Sequence, residues 1–444
     1  MSRHFPLFQH AATDVLAWHK GGAITAATFL HDALTLAESL PEKSYLFNLC
    51  EDRYHFMVGF AAAIIKGQIN LLPPNRTPDV INGLAGEYPN SYYLSEERIA
   101  GVELPSAQLQ IEQVEQDCID HVPAIDEEQL IAIAFTSGST GTPKANLKYW
   151  KELVLGADKA ISRFNIKPGK VSAIVATVPP QHMYGLETSV LVPWRSGVMV
   201  HTGRPFFPGD VVEELRSVSG PRALITTPLH LRACLKAGLN WPEVEFIISA
   251  TAPLSPDLAQ QAEEVLETRV MEIYGCTEAG SIASRQTTHD KCWRLYDGMS
   301  LTFSGRAGYL EGDHLPQPVP LSDQIDIIDQ QHFALLGRHE EMINIAGKRA
   351  SLGDLNHKLN AIAEVEDGIF IMPDAMGADT TRLAAFVVAP TLDEAAVLQR
   401  LKNGIDPVFL PRPLYKVNAL PRNETGKLQR AALLQLLETQ KAGR

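Results

Sequence analysis

The chain has no apolar run long enough to cross a membrane: the longest, Phe56 to Ile65, is half the ~20 residues a helical span requires. Its amino terminus, MSRHFPLFQHAATDVLAWHKGG, lacks the apolar core of a secretory signal. Cysteine is scarce and odd in number. Cys50, Cys118, Cys234, Cys276 and Cys292 are scattered without a CxxC, which argues against a disulfide framework and against thiolate metal ligation. Basic residues are outnumbered, 39 Lys and Arg against 52 Asp and Glu, and a net charge of −13 disfavours a nucleic-acid partner, which needs a basic face. Low-complexity tracts and internal repeats are missing as well. Together these absences leave a soluble, folded protein, expected in the cytoplasm. At 444 residues it is long enough for several structural units.

What is present is concentrated in one stretch. Thr136-Ser137-Gly138-Ser139-Thr140-Gly141-Thr142-Pro143-Lys144 packs hydroxyls, two glycines and a lysine behind the apolar run IAIAF. Glycine lets backbone N–H groups approach anionic oxygens, hydroxyls add neutral donors and the lysine adds a point charge, so the composition suits a polyphosphate. The spacing is not that of the Walker loop, because Pro143 stands where its second glycine belongs and Ala145 follows the lysine. By itself the stretch reads equally as a polar surface turn.

Apolar, β-branched segments recur at SYLFNL, QLIAIAF, VSAIVATV, RALITT and EFIISA, separated by helical patterns such as VVEELRSV and LAQQAEEVLE. This alternation predicts an α/β fold with mostly parallel strands. The glycine- and hydroxyl-rich loop, with IAIAF entering and ANLKYW leaving, is expected to join antiparallel strands instead. After about residue 300 the texture changes, and DQIDIIDQQHFALLGR alternates like a hairpin. The expected organisation is a large N-terminal domain of α/β layered subdomains, residues 1–338, and a small C-terminal α+β domain, residues 339–444. The second is charge-neutral, with 13 basic and 13 acidic residues, so the first carries the whole negative balance.

Further motifs follow in order: SATAPLS (249–255), IYGCTEAG (273–280), SDQIDIID (322–329), GRHEEMINIAGKRASLGDL (337–355) and PRNETGKLQR (421–430). With the opening loop they resemble the adenylate-forming superfamily of acyl- and aryl-CoA synthetases, peptide-synthetase adenylation domains and luciferases, from about residue 44 to residue 430. The resemblance implies a two-step reaction on ATP with Mg²⁺. A substrate carboxylate attacks the α-phosphorus to give acyl-AMP and pyrophosphate, and the thiol of CoA or of a phosphopantetheine on an acyl carrier protein then displaces AMP.

The roles it implies are these. Thr136, Ser137, Gly138, Ser139, Thr140, Gly141 and Lys144 grip the β- and γ-phosphates; in Gly275-Cys276-Thr277-Glu278, Thr277 faces the α-phosphate and Glu278 holds Mg²⁺, an oxygen ligand for a hard cation. Tyr274 stacks on adenine, with Ala250-Thr251-Ala252-Pro253 against its other face; Ala250 stands where relatives usually have glycine. Asp323, 15 residues before Arg338, takes the ribose hydroxyls, although Leu321-Ser322-Asp323 departs from the family's Thr-Gly-Asp. Lys427 is the catalytic lysine of the small mobile domain. Glu340 is the hinge, and Gly347 lines the thiol channel, where a pantetheine arm passes close to backbone. His182 orients the carboxylate or gates the thiol. Plainer readings stand beside these: a helix cap for Thr277-Glu278, a hairpin turn for Asp323, a solvated lysine for Lys427 and a packed core histidine for His182.

Met183, Tyr184, Cys276 and Ser281 are the expected neighbours of the acid. Their mixture of apolar and hydroxyl groups suits a small aromatic acid such as a hydroxybenzoate or cinnamate, with a short or medium fatty acid as the alternative. No aspartate stands ready for an α-ammonium, which disfavours amino acids. Arg412, Lys416 and Arg422 lean toward an acidic carrier protein as acceptor. A non-catalytic nucleotide-binding descendant and a luciferase-like oxygenase are the readings from other classes.

Overall fold

Asp52 begins a helix because its carboxylate accepts from the amides of Tyr54 and His55, and Gly67 ends it in the left-handed conformation at φ 76°. This helix, Arg53–Lys66, is buried over most of its length and joins the parallel strands Tyr45–Asn48 and Ile69–Leu72. The structure, a computed structural model, describes residues 3–442 apart from 110, 112–117, 120, 138–142, 305–306, 339–341, 346–347, 363, 374–381, 403, 423–427 and 429. The chain divides into two compact units, residues 1–290 with 294–300 and 311–319, and residues 320–444 with 291–293 and 301–310.

The first unit is α/β, as the alternation of runs predicts. One sheet has the order Pro143–Tyr149, Leu130–Ser137, Ile69–Leu72, Tyr45–Asn48, Ser91–Ser95 and Ser106–Gln108. A second runs Gly280–Gln286, Arg269–Cys276, Phe246–Ser249, Arg222–Thr226, Ala173–Ala176, Met199–His201, Val15–His19 and Gly22–Thr25. Its middle strands are parallel and linked by helices, so both faces are covered and the strands read as nearly continuous apolar runs. The direction reverses at Arg269–Cys276, through an antiparallel turn to Gly280–Gln286, and at the far edge, where Val15–His19 and Gly22–Thr25 are antiparallel.

In the second unit Asp323–Ile327 and His332–Arg338 form the hairpin expected from their alternation, followed by the hairpin Met342–Ile345 and Lys348–Ser351. The sheet of Asp367–Ile371, Ala384–Val388 and Leu414–Lys416 is buried on both faces. Phe370, Ala385 and Val387 pack with helices Leu352–Asn360 and Glu394–Leu401, while Ile371, Phe386 and Val388 pack with Arg430–Ala442. This is the small α+β arrangement expected of the C-terminal segment. Among the described residues no helix is long and apolar enough to cross a membrane.

Candidate active site

The loop expected to grip the polyphosphate springs from an antiparallel pair, with Ser137 opposite Pro143 and Thr136 opposite Lys144. Gly138, Ser139, Thr140 and Gly141 at its tip lie outside the described residues, as does the side chain of Ser137. Alternation along the outgoing strand puts Lys144 and Lys148 on one face, and both reach the Thr277-Glu278 turn. The Lys144 ammonium is 3.6 Å from the Glu278 carboxylate, and Lys148 Nζ donates to the Glu278 carbonyl at 2.8 Å. Lys148 is fully buried and paired with buried Glu152 one helical turn on, so the second contact is a fixed clasp between motifs 130 residues apart. Lys144 and Glu278 are two-thirds and one-third exposed, open to a ligand.

The turn bearing Thr277 and Glu278 is tight. A side chain on Gly275 would place Cβ 2.4 Å from the Gly280 carbonyl oxygen, so the position admits only glycine. A bulge between Tyr274 and Gly275 re-aims the end of the strand. Tyr274 is half-buried there, beside the strand that delivers Ala250 to Pro253, since Ser249 and Glu272 are parallel neighbours. Both segments leave the carboxyl ends of parallel strands, where open α/β sheets bind ligands. Thr251 holds φ +79°, an outlier for a β-branched residue and a mark of local constraint. The constraint has a visible source. Buried Glu272 accepts from Leu254 N at 2.8 Å, Arg285 Nε at 2.8 Å and Thr287 Oγ1 at 3.0 Å. Glu272→Ala, which removes the anchor and strands Arg285, is expected to cost about 3–5 kcal/mol of stability, measured as a lower urea midpoint.

His182 is half-buried and begins a helical stretch in which Met183–Leu186 passes through a π-helical turn, Glu187–Leu191, into Val192–Ser196. π turns of this kind often mark functional positions. Gly185 packs so tightly on the preceding turn that a Cβ would lie 1.9 Å from the Pro179 carbonyl oxygen. Arg53, wholly buried, donates to the carbonyls of Ala176 and Val178 at 2.9 Å and to the Ser189 hydroxyl, and Gln181 Nε2 donates to Cys50 O at 2.7 Å. Burial lowers the Arg53 pKa to about 10.

A small cavity opens beside this helix, lined by Glu152, Leu153, Gly156, Met183, Glu187, Ala279 and Gly280. Of the four residues expected around the acid, Met183 is on this wall. Ser281 lies just behind it and donates its amide to Glu187 Oε2 at 3.0 Å. The Tyr184 hydroxyl is turned to the carbonyls of Thr226 and Ile248, at 3.1 and 3.0 Å. Burial, reinforced by Glu278, pushes the Cys276 thiol up to about 12, so it is a lining group and not a nucleophile. Glu187 was not legible from its motif. Among the described residues its buried Oε1 has no hydrogen-bond partner, and burial raises its pKa, which favours the neutral carboxyl.

Asp323 is half-buried and faces Arg338 directly across the hairpin, which explains the 15-residue interval as a strand register. The Arg338 side chain lies outside the described residues, as do Glu340, Gly347 and Lys427.

An ATP-dependent, AMP-forming acid–thiol ligase is the class that this fold and these motifs define. A family model described as AMP-binding enzyme matches residues 85–341, and the chain belongs to that family. The 4-coumarate–CoA ligase of Rhodobacter capsulatus is 28% identical over 308 residues, covering 68% of this chain and 76% of that enzyme. That of Halorhodospira halophila is 28% identical over 300 residues, 66% and 74% of the two chains. The fold is that of an ATP-bound MatB chimera, with a TM-score of 0.80 at 17% identity over 98% of this chain and 97% of that one. It is shared with the anthranilate CoA ligase AuaEII in complex with anthranoyl-AMP, with a TM-score of 0.76 at 15% identity over 99% of both chains.

Proposed function

We propose that the enzyme activates a compact aromatic carboxylic acid bearing a hydroxyl or amino group on its ring, and transfers it to CoA. The observation that carries this reading is the partnerless Glu187 Oε1 beside a small cavity walled by Met183, Ala279 and Gly280. An unpaired buried carboxyl costs free energy that a substrate donor or acceptor recovers, whereas a fatty acyl chain would leave it unpaired. The names of the 4-coumarate–CoA ligase relatives and of the anthranilate ligase agree with an acid of this kind. CoA is favoured over a carrier protein because two of the three basic residues that would greet a carrier are engaged. Arg422 makes a two-pronged pair with Asp367 at 2.6 Å, and Lys416 Nζ donates to Pro390 O and Leu392 O.

In this reading Thr136, Lys144 and the loop tip hold the β- and γ-phosphates while Thr277 donates to the α-phosphate. Tyr274 and Ala250-Thr251-Ala252-Pro253 enclose adenine, and Asp323 with Arg338 takes the ribose. The Glu278 carboxylate, exposed and facing an ammonium that phosphate would draw away, suits Mg²⁺, which takes one or two carboxylates plus phosphate oxygens. Mg²⁺ there would neutralise phosphate charge. His182 orients the acid, Lys427 reaches the reacting atoms during adenylation, and rotation of residues 339–444 about Glu340 then brings Gly347 to the thiol path. The test is pyrophosphate release across hydroxybenzoates, aminobenzoates, cinnamates and medium-chain fatty acids, with CoA and a holo-carrier protein as acceptors. Glu187→Leu is expected to reduce the kcat/KM preference for a ring-substituted over an unsubstituted acid by about 10-fold or more. An unchanged ratio, or a wild-type preference for fatty acids, would refute the assignment.

A further inference from the structure

A cluster of metal-ligating side chains that the reading above does not use joins the strand Val15–His19 to the N-terminus of the helix Arg53–Lys66. His19 ends the strand Val15–His19, Asp52 caps the helix, and His55 lies in its first turn. One donor atom from each can be chosen so that all lie within 4.8 Å of one another. Two donors at about 2.1 Å from a tetrahedral ion stand about 3.4 Å apart, so the widest pair of the trio would draw in by up to about 1.4 Å. His55 and Asp52 are 18% and 27% exposed at the side chain, which gives an ion a way in.

The surroundings of the cluster have the form of an outer ligand shell. His19 Nδ1 is 2.8 Å from Thr202 Oγ1, and that hydroxyl donates in turn to Trp18 O at 3.1 Å. The imidazole is therefore the donor at Nδ1, and its lone pair is at Nε2. His55 Nδ1 is 3.0 Å from Glu96 Oε1. The Glu96 carboxylate also accepts from the backbone amides of Glu51 and Asp52, so it is placed as an acceptor toward the ring. That fixes the proton of His55 on Nδ1 as well. A ring whose far N–H is held by a carboxylate or hydroxyl is the usual state of a metal-bound histidine. The Asp52 Oδ1 caps the helix amides of Tyr54 and His55. The same oxygen stands 3.7 Å from His19 Nδ1.

We infer that His19, Asp52 and His55 form a binding site for a divalent transition cation of the zinc class, distinct from the Mg²⁺ site of the reaction. Two imidazoles and one carboxylate, with a charged outer shell, are a donor set for such an ion and not for Mg²⁺. The ion would tie the strand Val15–His19 to the helix whose Arg53 secures Ala176 and Val178. Full-length protein stripped with EDTA and freed of chelator should bind one equivalent of Co²⁺ with visible d–d absorption that Zn²⁺ abolishes, and Zn²⁺ should raise its Tm. His55→Gln should remove the absorption and the Zn²⁺-dependent Tm rise. Glu96→Gln should weaken binding by about 10–100-fold. His332→Ala, which breaks an exposed His–Asp pair elsewhere, should change neither. If His19→Asn fails to fold, the His55 and Glu96 variants carry the test. Equal binding by wild type and His55→Gln, or no Co²⁺ absorption in the wild type, would overturn the site.

Discussion

Glu278→Ala is expected to lower the rate of pyrophosphate release by about 10²–10³-fold, the usual cost of removing one group that stabilises charge in the transition state. The loss should fall on chemistry and not on folding. The clasp between the phosphate hairpin and this turn runs from Lys148 to the Glu278 carbonyl, which survives truncation of the side chain. Among the described residues the carboxylate itself meets the exposed ammonium of Lys144, at 3.6 Å, and pairs of that kind contribute at most about 1 kcal/mol. A urea midpoint close to the parent's, together with a collapsed rate, is therefore the expected pair of results. A variant releasing pyrophosphate at the parent's rate would show that the turn binds by its backbone alone.

Lys427→Ala is expected to reduce pyrophosphate release by about 10²-fold or more. The expectation rests on the role proposed for this lysine in ETGK, acting from the C-terminal segment only while the adenylate forms. Its discriminating feature is the second half-reaction. Supplied with presynthesised acyl-AMP and CoA, the variant should form thioester at a rate near the parent's, because the lysine is withdrawn by then. Equal loss of both half-reactions would contradict domain rotation, and ATP turnover matching the parent's would show the lysine to be an ordinary solvated one.

Much of the first unit's architecture was legible because parallel strands covered on both faces leave unbroken apolar runs, and the helices between them repeat every 3.6 residues. The hairpin 323–338 was legible from alternation, and its register accounts for the interval between Asp323 and Arg338. The buried charges were hidden. Lys148, Glu152, Glu187 and Glu272 each sit in a strand or helix pattern where one charged residue reads as a solvent face, yet all four are buried. A signal existed for one of them. Lys144 and Lys148 are four apart in a strand, so a lysine at 148 shares the face of the phosphate-binding lysine. Nothing comparable marked Glu187, whose neighbours in QHMYGLETSV read as an ordinary helix.

Local chemistry is what the sequence by itself determined: glycines where backbone must approach an anion, hydroxyls and lysine beside them, a carboxylate in a tight turn, and apolar periods that specify α/β layers. These depend on residue type and short-range spacing, so they can be read along the chain. Which charges are desolvated, and by whom, only the tertiary structure decided. Glu187 lies buried beside a cavity, one carboxyl oxygen held by the Ser281 amide and the other without a partner among the described residues, because a strand 94 positions away in Gly280–Gln286 packs against it. His19 joins Asp52 and His55 because the Val15–His19 strand is placed beside a helix that begins 33 residues later. Burial and partnership at such distances are properties of packing, and no local pattern encodes them.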